Sequence, residues 1–272
     1  LTLPRAQTAR SVVVVGGGPA GLKAALTAAQ RGHQVTLVEQ SGALGGLMIP
    51  ASVGAFKEDL RRYLSYLRRQ VEKSQIHVML HTRADRALLE HLHPDAVILA
   101  VGGRAVMPPV PGLGTSGAVQ AVALLNAGLE TAGTRVTILG GGSIGCELAL
   151  ELAALDRMVT VVELRDKLAA NGNELYRQDL MLHLEQETRI TILTQTVCTG
   201  VTAQGCTVRE KDGGTRVIPH DTFVIAAGLR ADADAVEALY GVVPETYYVG
   251  DCKRAASITE ATTEAYFLGA SL

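Results

Sequence analysis

Apolar positions along the chain alternate between two periodicities. Short, mainly apolar runs at 12–15, 35–38, 95–101, 136–139 and 224–227 predict strands buried on both faces of a parallel sheet. Between them the spacing turns helical. An alanine-rich helix follows residue 19, and a helix over 54–73 carries Leu60, Leu64, Leu67 and Val71 as one stripe. Further helices are predicted at 85–92, 173–187 and 257–272, and short strands at 76–80 and 246–251. Alternating residues from 190 to 218, with turns at Gly205 and at Asp212, Gly213 and Gly214, predict a β-meander. Residues 1–10 are mixed and polar and read as a linker or tail; with Leu1 in place of Met, they suggest a severed fragment. The fold class that fits is α/β, with two Rossmann-like domains and the second inserted in the first. The first is predicted at 1–106 and 224–272 and the second at 107–223, with the proline-rich 107–112 marking a crossover.

The first strand runs into Gly16-x-Gly18-x-x-Gly21, a helix opening on Pro19 and Ala20, and a second strand ending in Glu39 and Gln40. Gly16 permits the tight turn, Gly18 lets a pyrophosphate approach the backbone, and Gly21 allows close helix–strand packing. The helix N-terminus offers N–H groups and a positive dipole end. A carboxylate at Glu39 suits the hydroxyls of an adenosine ribose. A glycine pattern alone also describes an ordinary turn, but here every part of the unit is present in order, and it recurs. Gly140, Gly142 and Gly145 stand 124 positions after the first three glycines, with Ser143 and Ile144 opening the helix, and Glu163 stands 124 after Glu39. Two such units imply two nucleotides.

Composition narrows the remaining choices. The chain has 272 residues, 47% of them hydrophobic, and a net charge of −2, which favours neither nucleic acid nor an anionic membrane as partner. No apolar run approaches the roughly 20 residues of a membrane helix, so a cytoplasmic location is expected. Cys146, Cys198, Cys206 and Cys252 are scattered, without C-x-x-C or cluster spacing. They read as buried, inert thiols in a reducing compartment. His91 and His93 lack a third ligand nearby, and no metal site is assigned. Arg61, Arg62, Arg68 and Arg69 on the 54–73 helix suit either a docking face for an acidic partner or a solvated face paired with Glu58, Asp59 and Glu72.

Together these residues resemble the two-dinucleotide-domain flavoprotein reductases over essentially the whole chain. The resemblance implies that Gly16, Gly18, Pro19, Ala20, Gly21, Glu39, Gln40, Gly46, Leu47, Ala100, Gly102, Gly250 and Asp251 hold FAD. It implies that Gly140, Gly142, Ser143, Ile144, Gly145, Glu147, Glu163 and Gly228 hold NAD(H). It gives Asp251 the ribityl chain and aims the last helix's N-terminus at the flavin ring. Glu147 is placed either near the nicotinamide or on a solvent-facing helix surface.

The loop at Leu44, Gly45, Gly46 and Leu47, the arginine–tyrosine helix and the Gly250-Asp251-Cys252 segment resemble most the C-terminal portion of the 2,4-dienoyl-CoA reductase, enoate reductase and trimethylamine dehydrogenase group. That group's N-terminal barrel carries FMN and a four-iron cluster, both implied only for a missing portion. Where the group has Ala-Thr-Gly at its crossover, this chain has Ala100, Val101 and Gly102. The expected activity is hydride transfer from NADH to FAD, with electrons passing to a barrel domain or subunit and with no acid–base or covalent catalyst. The alternatives are a scaffold holding ADP and a stand-alone NAD(P)H:acceptor reductase.

Overall fold

The computed structural model describes residues 3–54, 56–170 and 172–272. Leu1 and Thr2, part of the predicted tail, lie outside them. The chain forms two compact units. One gathers the chain up to Arg104 with Leu229–Leu272, and the other is Ala105–Gly228.

The first unit begins with β1 (Ser11–Val15), α1 (Pro19–Gln30), β2 (Gln34–Val38), α2 (Met48–Ala51) and α3 (Glu58–Glu72). Then come β3 (His77–Met79), α4 (Arg86–Leu92), β4 (Ala96–Leu99) and β5 (Gly103–Ala105). After the second unit the chain returns as β14 (Leu229–Ala231), which pairs with β5, then α8 (Ala233–Leu239), β15 (Thr246–Tyr248) and α9 (Ile258–Ser271). Its sheet is parallel throughout, in the order β15-β4-β1-β2-β3. The valines of β1 alternate between two cores, which is why all four are buried. Val12 and Val14 pack with Leu22, Leu64, Leu67 and Ala265 on one face, and Val13 and Val15 with Leu89 and Leu239 on the other. The alanines of α1 let α9 approach closely, since a Cβ on Gly269 would sit 3.0 Å from the Ala24 carbonyl oxygen.

The second unit runs β6 (Val119–Gln120), α5 (Ala121–Ala127), β7 (Arg135–Leu139), α6 (Ser143–Ala154), β8 (Met158–Val162), α7 (Glu174–Gln186) and β9 (Ile190–Leu193). The strands β10 (Val197–Val201), β11 (Gly205–Arg209) and β12 (Thr215–Pro219) form the antiparallel meander, and β13 (Thr222–Ile225) rejoins the parallel sheet β6-β13-β7-β8-β9. This is the β1 arrangement repeated, with β13 and β8 flanking β7.

Three local expectations change. The helix expected from 54 starts at Glu58, and the loop before it ends in α2. The turn expected at Gly205 lies at residues 202–204, with Gly205 opening β11. Residues 4–10 are tied down rather than trailing: the Ala6 N–H donates to the Arg31 carbonyl at 2.8 Å, the Arg31 guanidinium to Pro4, and Arg10 pairs with Glu245 at 2.7 Å. The end of α1 has carbonyls and a cation to satisfy, and this segment supplies the partners.

An aspartate pins the start of each central strand. Asp95 accepts the Ser11 N–H at 2.8 Å, and Asp221 accepts the Arg135 N–H at 2.9 Å and its guanidinium at 2.6 Å. Those bonds hold the Asp221 carboxyl down at about 2, against an ordinary 3.8. A depressed carboxyl contributes stability that is whole above the unfolded value and lost as pH falls through the folded one. Asp221→Asn is therefore expected to lower the urea midpoint near neutrality. The difference should close between pH 3.8 and about 2, and a pH-independent difference would rule out this ionic contribution.

Candidate nucleotide sites

The first cradle sits at the C-terminal ends of β1 and β4, where the chain order switches direction across the sheet. Gly16 has φ +105°, and a Cβ there would lie 2.3 Å from the Ala100 carbonyl oxygen. On Gly21 a Cβ would lie 1.8 Å from the Gly16 oxygen. The protein's own packing requires both. Gly18 is different. Its φ is −72°, and nothing stands within 4 Å of where its Cβ would be. Neither backbone nor neighbours call for glycine at this position. The open space lies before the first turn of α1, which begins with Pro19 and Ala20 and has no side-chain cap. A cradle kept clear at an uncapped helix N-terminus fits a pyrophosphate.

Glu39 is only 7% exposed, and each of its oxygens accepts a backbone N–H at 2.7 Å, from Gly17 and from Ser41. Its first task is thus to tie the end of β2 to the glycine loop. Each oxygen keeps a second lone pair for a hydroxyl. Gln40 is exposed beside it. The Gly45 N–H donates to the Gly17 carbonyl at 2.7 Å, and Gly46, with φ +52°, comes within 2.9 Å of Gly18 at its Cβ position. Leu47 caps α2.

Two of the α3 arginines brace this loop. Arg68 donates to the Leu44 carbonyl at 2.7 Å and Arg61 to Ser52 at 2.9 Å, while Arg62 pairs with Glu58. The solvated-face reading holds for Arg62 and the exposed Arg69 only.

Ala100 underlies Gly16, Gly102 takes φ +77°, and a Cβ on Gly250 would lie 2.8 Å from the Ala20 Cβ. Beside it the Asp251 carboxylate accepts the Ala256 N–H at 3.2 Å, and burial pushes its pKa up. Ser257 and Glu260 close the N-terminus of α9 with a capping box, so part of the donor set expected to face a ligand is already satisfied.

The second cradle repeats the first. A Cβ on Gly140 would lie 2.5 Å from the Ala226 oxygen, and one on Gly145 would lie 2.0 Å from the Gly140 oxygen. Gly142, at φ −68°, again has nothing within 4 Å, and Ser143 and Ile144 open α6 without a side-chain cap. Glu163 accepts the Gly141 N–H at 2.6 Å and the Arg165 N–H at 2.8 Å. Gly228 takes φ +96°.

Sequence reasoning missed Ala226, the counterpart of Ala100, and the wrap in which Ala169 donates to the Gly141 carbonyl at 2.8 Å. A signal existed, because Leu168 and Ala169 stand 124 positions after Leu44 and Gly45. Glu147 is not solvent-facing. It is half-buried and accepts a hydrogen bond from the Tyr176 hydroxyl of α7, a partner the sequence did not indicate. Burial first, and then this carboxylate, push the Tyr176 phenol up. Cys146 lies beneath the loop, donating to Gly141 at 3.3 Å, its thiol pushed up to about 12 mainly by burial. His93, at φ +46°, ends α4 and bonds the His91 carbonyl through Nδ1 at 2.8 Å.

The pattern of the pyridine nucleotide-disulphide oxidoreductases matches residues 10–265. The chain belongs to that family. Its members are flavin-dependent NAD(H) oxidoreductases that bind FAD and NAD(P). It is 34% identical over 266 residues to the bilirubin reductase of Mediterraneibacter gnavus (strain CC55_001C), a match covering 97% of this chain and 41% of that protein. It is 34% identical over 231 residues to the NADH oxidase of Thermoanaerobacter brockii, covering 83% and 35%. The solved structure of a 2-naphthoyl-CoA reductase with 2-naphthoyl-CoA superposes with a TM-score of 0.94 at 25% identity, covering 99% of this chain and 41% of that one. These relatives agree with the enoate-reductase-like group that the loop and Gly-Asp-Cys segment resemble. The chain spans 41%, 35% and 41% of the length of these three proteins. Among the described residues no helix is long and apolar enough to cross a membrane.

Proposed function

We propose that the first unit binds FAD and the second binds NADH, and that the chain is the NADH-oxidising portion of a larger reductase. The observation that carries this reading is the pair Gly18 and Gly142, glycines that serve no internal packing need and keep two helix N-termini open. In the first unit Gly16, Gly18, Pro19, Ala20, Gly21 and Gly46 would face the pyrophosphate, with Glu39 and Gln40 at the ribose. Leu47, Ala100, Gly102, Gly250 and Asp251 would follow the ribityl chain and ring. In the second, Gly140, Gly142, Ser143, Ile144 and Gly145 would hold the pyrophosphate, Glu163 the ribose, and Glu147 and Gly228 the nicotinamide half. Nucleotides held by these residues would supply hydride transfer from NADH to flavin, a step that needs alignment and electrostatics rather than an acid–base side chain. The Tyr176 hydroxyl fixes the Glu147 carboxylate in place on α6.

The onward acceptor would be a barrel domain or subunit carrying FMN and a four-iron cluster. Support comes from the length of the relatives and from the reductase names they carry. Denaturing the purified protein is expected to release FAD; ADP without flavin would make the unit a scaffold. Flavin bleaching is expected to be faster with NADH than with NADPH, because Glu163 repels a 2′-phosphate. A preference of about 1–3 kcal/mol follows from the lost hydrogen bonds and repulsion, and equal rates would overturn that role. The chain should reduce artificial dyes with NADH yet leave an enoate or dienoyl thioester nearly untouched. Turnover of the thioester at about 1–10³ per second, as in complete enzymes, would refute the partial-enzyme reading.

A further inference from the structure

Cys198 and Cys206 are far from C-x-x-C spacing, yet the meander brings their sulfurs to 3.4 Å. The strands β10 and β11 are antiparallel, and Cys198 stands opposite Val208, placing Cys206 diagonally across on the same face. A bulge lies between Cys198 and Gly200, so that Val201 rather than Gly200 stands opposite Cys206. Both side chains lie in one core with Val162, Phe223 and Ile225. We propose that Cys198 and Cys206 form a reversible intramolecular disulfide when the protein meets hydrogen peroxide.

A disulfide needs the sulfurs at about 2 Å, so the pair has to close from 3.4 Å within a hairpin whose backbone is already paired. The two thiols are not equivalent. Cys198 retains 7% exposure and Cys206 none, so peroxide meets Cys198 first. The two sulfurs share one hydrogen bond in which either can donate, and that sharing draws the Cys198 thiol down and pushes the Cys206 thiol up. The Cys198 thiolate attacks a peroxide oxygen, the O–O bond breaks, and one water leaves as a sulfenic acid forms. The Cys206 sulfur then attacks the Cys198 sulfur and displaces the second water. Two thiols lose two electrons and two protons, and one hydrogen peroxide becomes two waters.

Cys146 and Cys252 are internal controls. Both are buried, burial raises both thiols, and neither has a cysteine partner among the described residues. The test is to expose the native protein, as purified, to hydrogen peroxide, unfold it in an alkylating agent, and map the peptides by mass. The expected result is a Cys198–Cys206 cross-linked pair lighter by two hydrogens and reopened by dithiothreitol, with Cys146 and Cys252 alkylated throughout. Recovery of all four as alkylated thiols would overturn the proposal, and so would oxidation of all four in parallel. In Cys206→Ser, Cys198 should stop at a sulfenic acid that dimedone traps. In Cys198→Ser, Cys206 should stay reduced under the same exposure; equally fast oxidation there would refute Cys198 as the attacking thiol.

Discussion

Gly18→Val is expected to give a folded protein that purifies without its yellow colour. Nothing lies within 4 Å of where the new Cβ would be, and a φ of −72° suits any residue, so thermal stability of the nucleotide-free form should stay near wild type. The side chain would fill the space in which the proposed pyrophosphate would meet the first turn of α1. Hydrogen bonds to a charged group contribute about 1.5–3 kcal/mol each. Losing two therefore weakens binding by at least about 100-fold. Gly142→Val should keep the flavin and lose its reduction by NADH, because the second cradle has the same geometry. Gly21→Ala is the contrast. Its Cβ would be driven to 1.8 Å from the Gly16 oxygen, a backbone clash at or above the upper end of the usual overpacking cost of about 1–3 kcal/mol. The flavin-to-protein absorbance ratio and the melting temperature separate the three variants. A fully yellow Gly18→Val would remove the ligand-based reason for that glycine.

Glu39→Ala is expected to destabilise the protein even with no nucleotide bound. The variant leaves the Gly17 N–H without its acceptor in a buried position, a loss of about 1–3 kcal/mol. The Ser41 N–H is more exposed and recovers a water. Flavin retention should fall as well, since the glycine loop loses its tie to β2 and a ribose loses its acceptor. Glu39→Gln should rescue poorly, because an amide presents one acceptor and sets N–H against N–H at the other bond. Urea unfolding of the nucleotide-free proteins is the measurement. Equal midpoints for wild type and Glu39→Ala would mean that Glu39 acts on the ligand alone.

Much of the fold was legible because its signals are local. Buried strands, glycine turns and helix starts each need particular residues within a few positions of one another. The copy at an offset of 124 positions made the second unit as readable as the first.

Other features wait on contacts between segments far apart in sequence. Arg61 and Arg68 look like surface charges until the backbone on either side of α2 presents the Ser52 and Leu44 carbonyls to them. Glu147 looks like a solvated helix residue until α7 delivers Tyr176. Glu39 looks like a ligand residue alone until β2 ends beside Gly17. Cys198 and Cys206 look inert until the β10–β11 pairing brings their sulfurs to 3.4 Å. The sequence by itself determined where the backbone needs glycine and where a strand or helix must start, since those are demands a few neighbouring residues make on φ, ψ and burial. Only the tertiary structure decided which side chains complete the two cradles and which thiols meet, because strand order, register and helix packing set those distances.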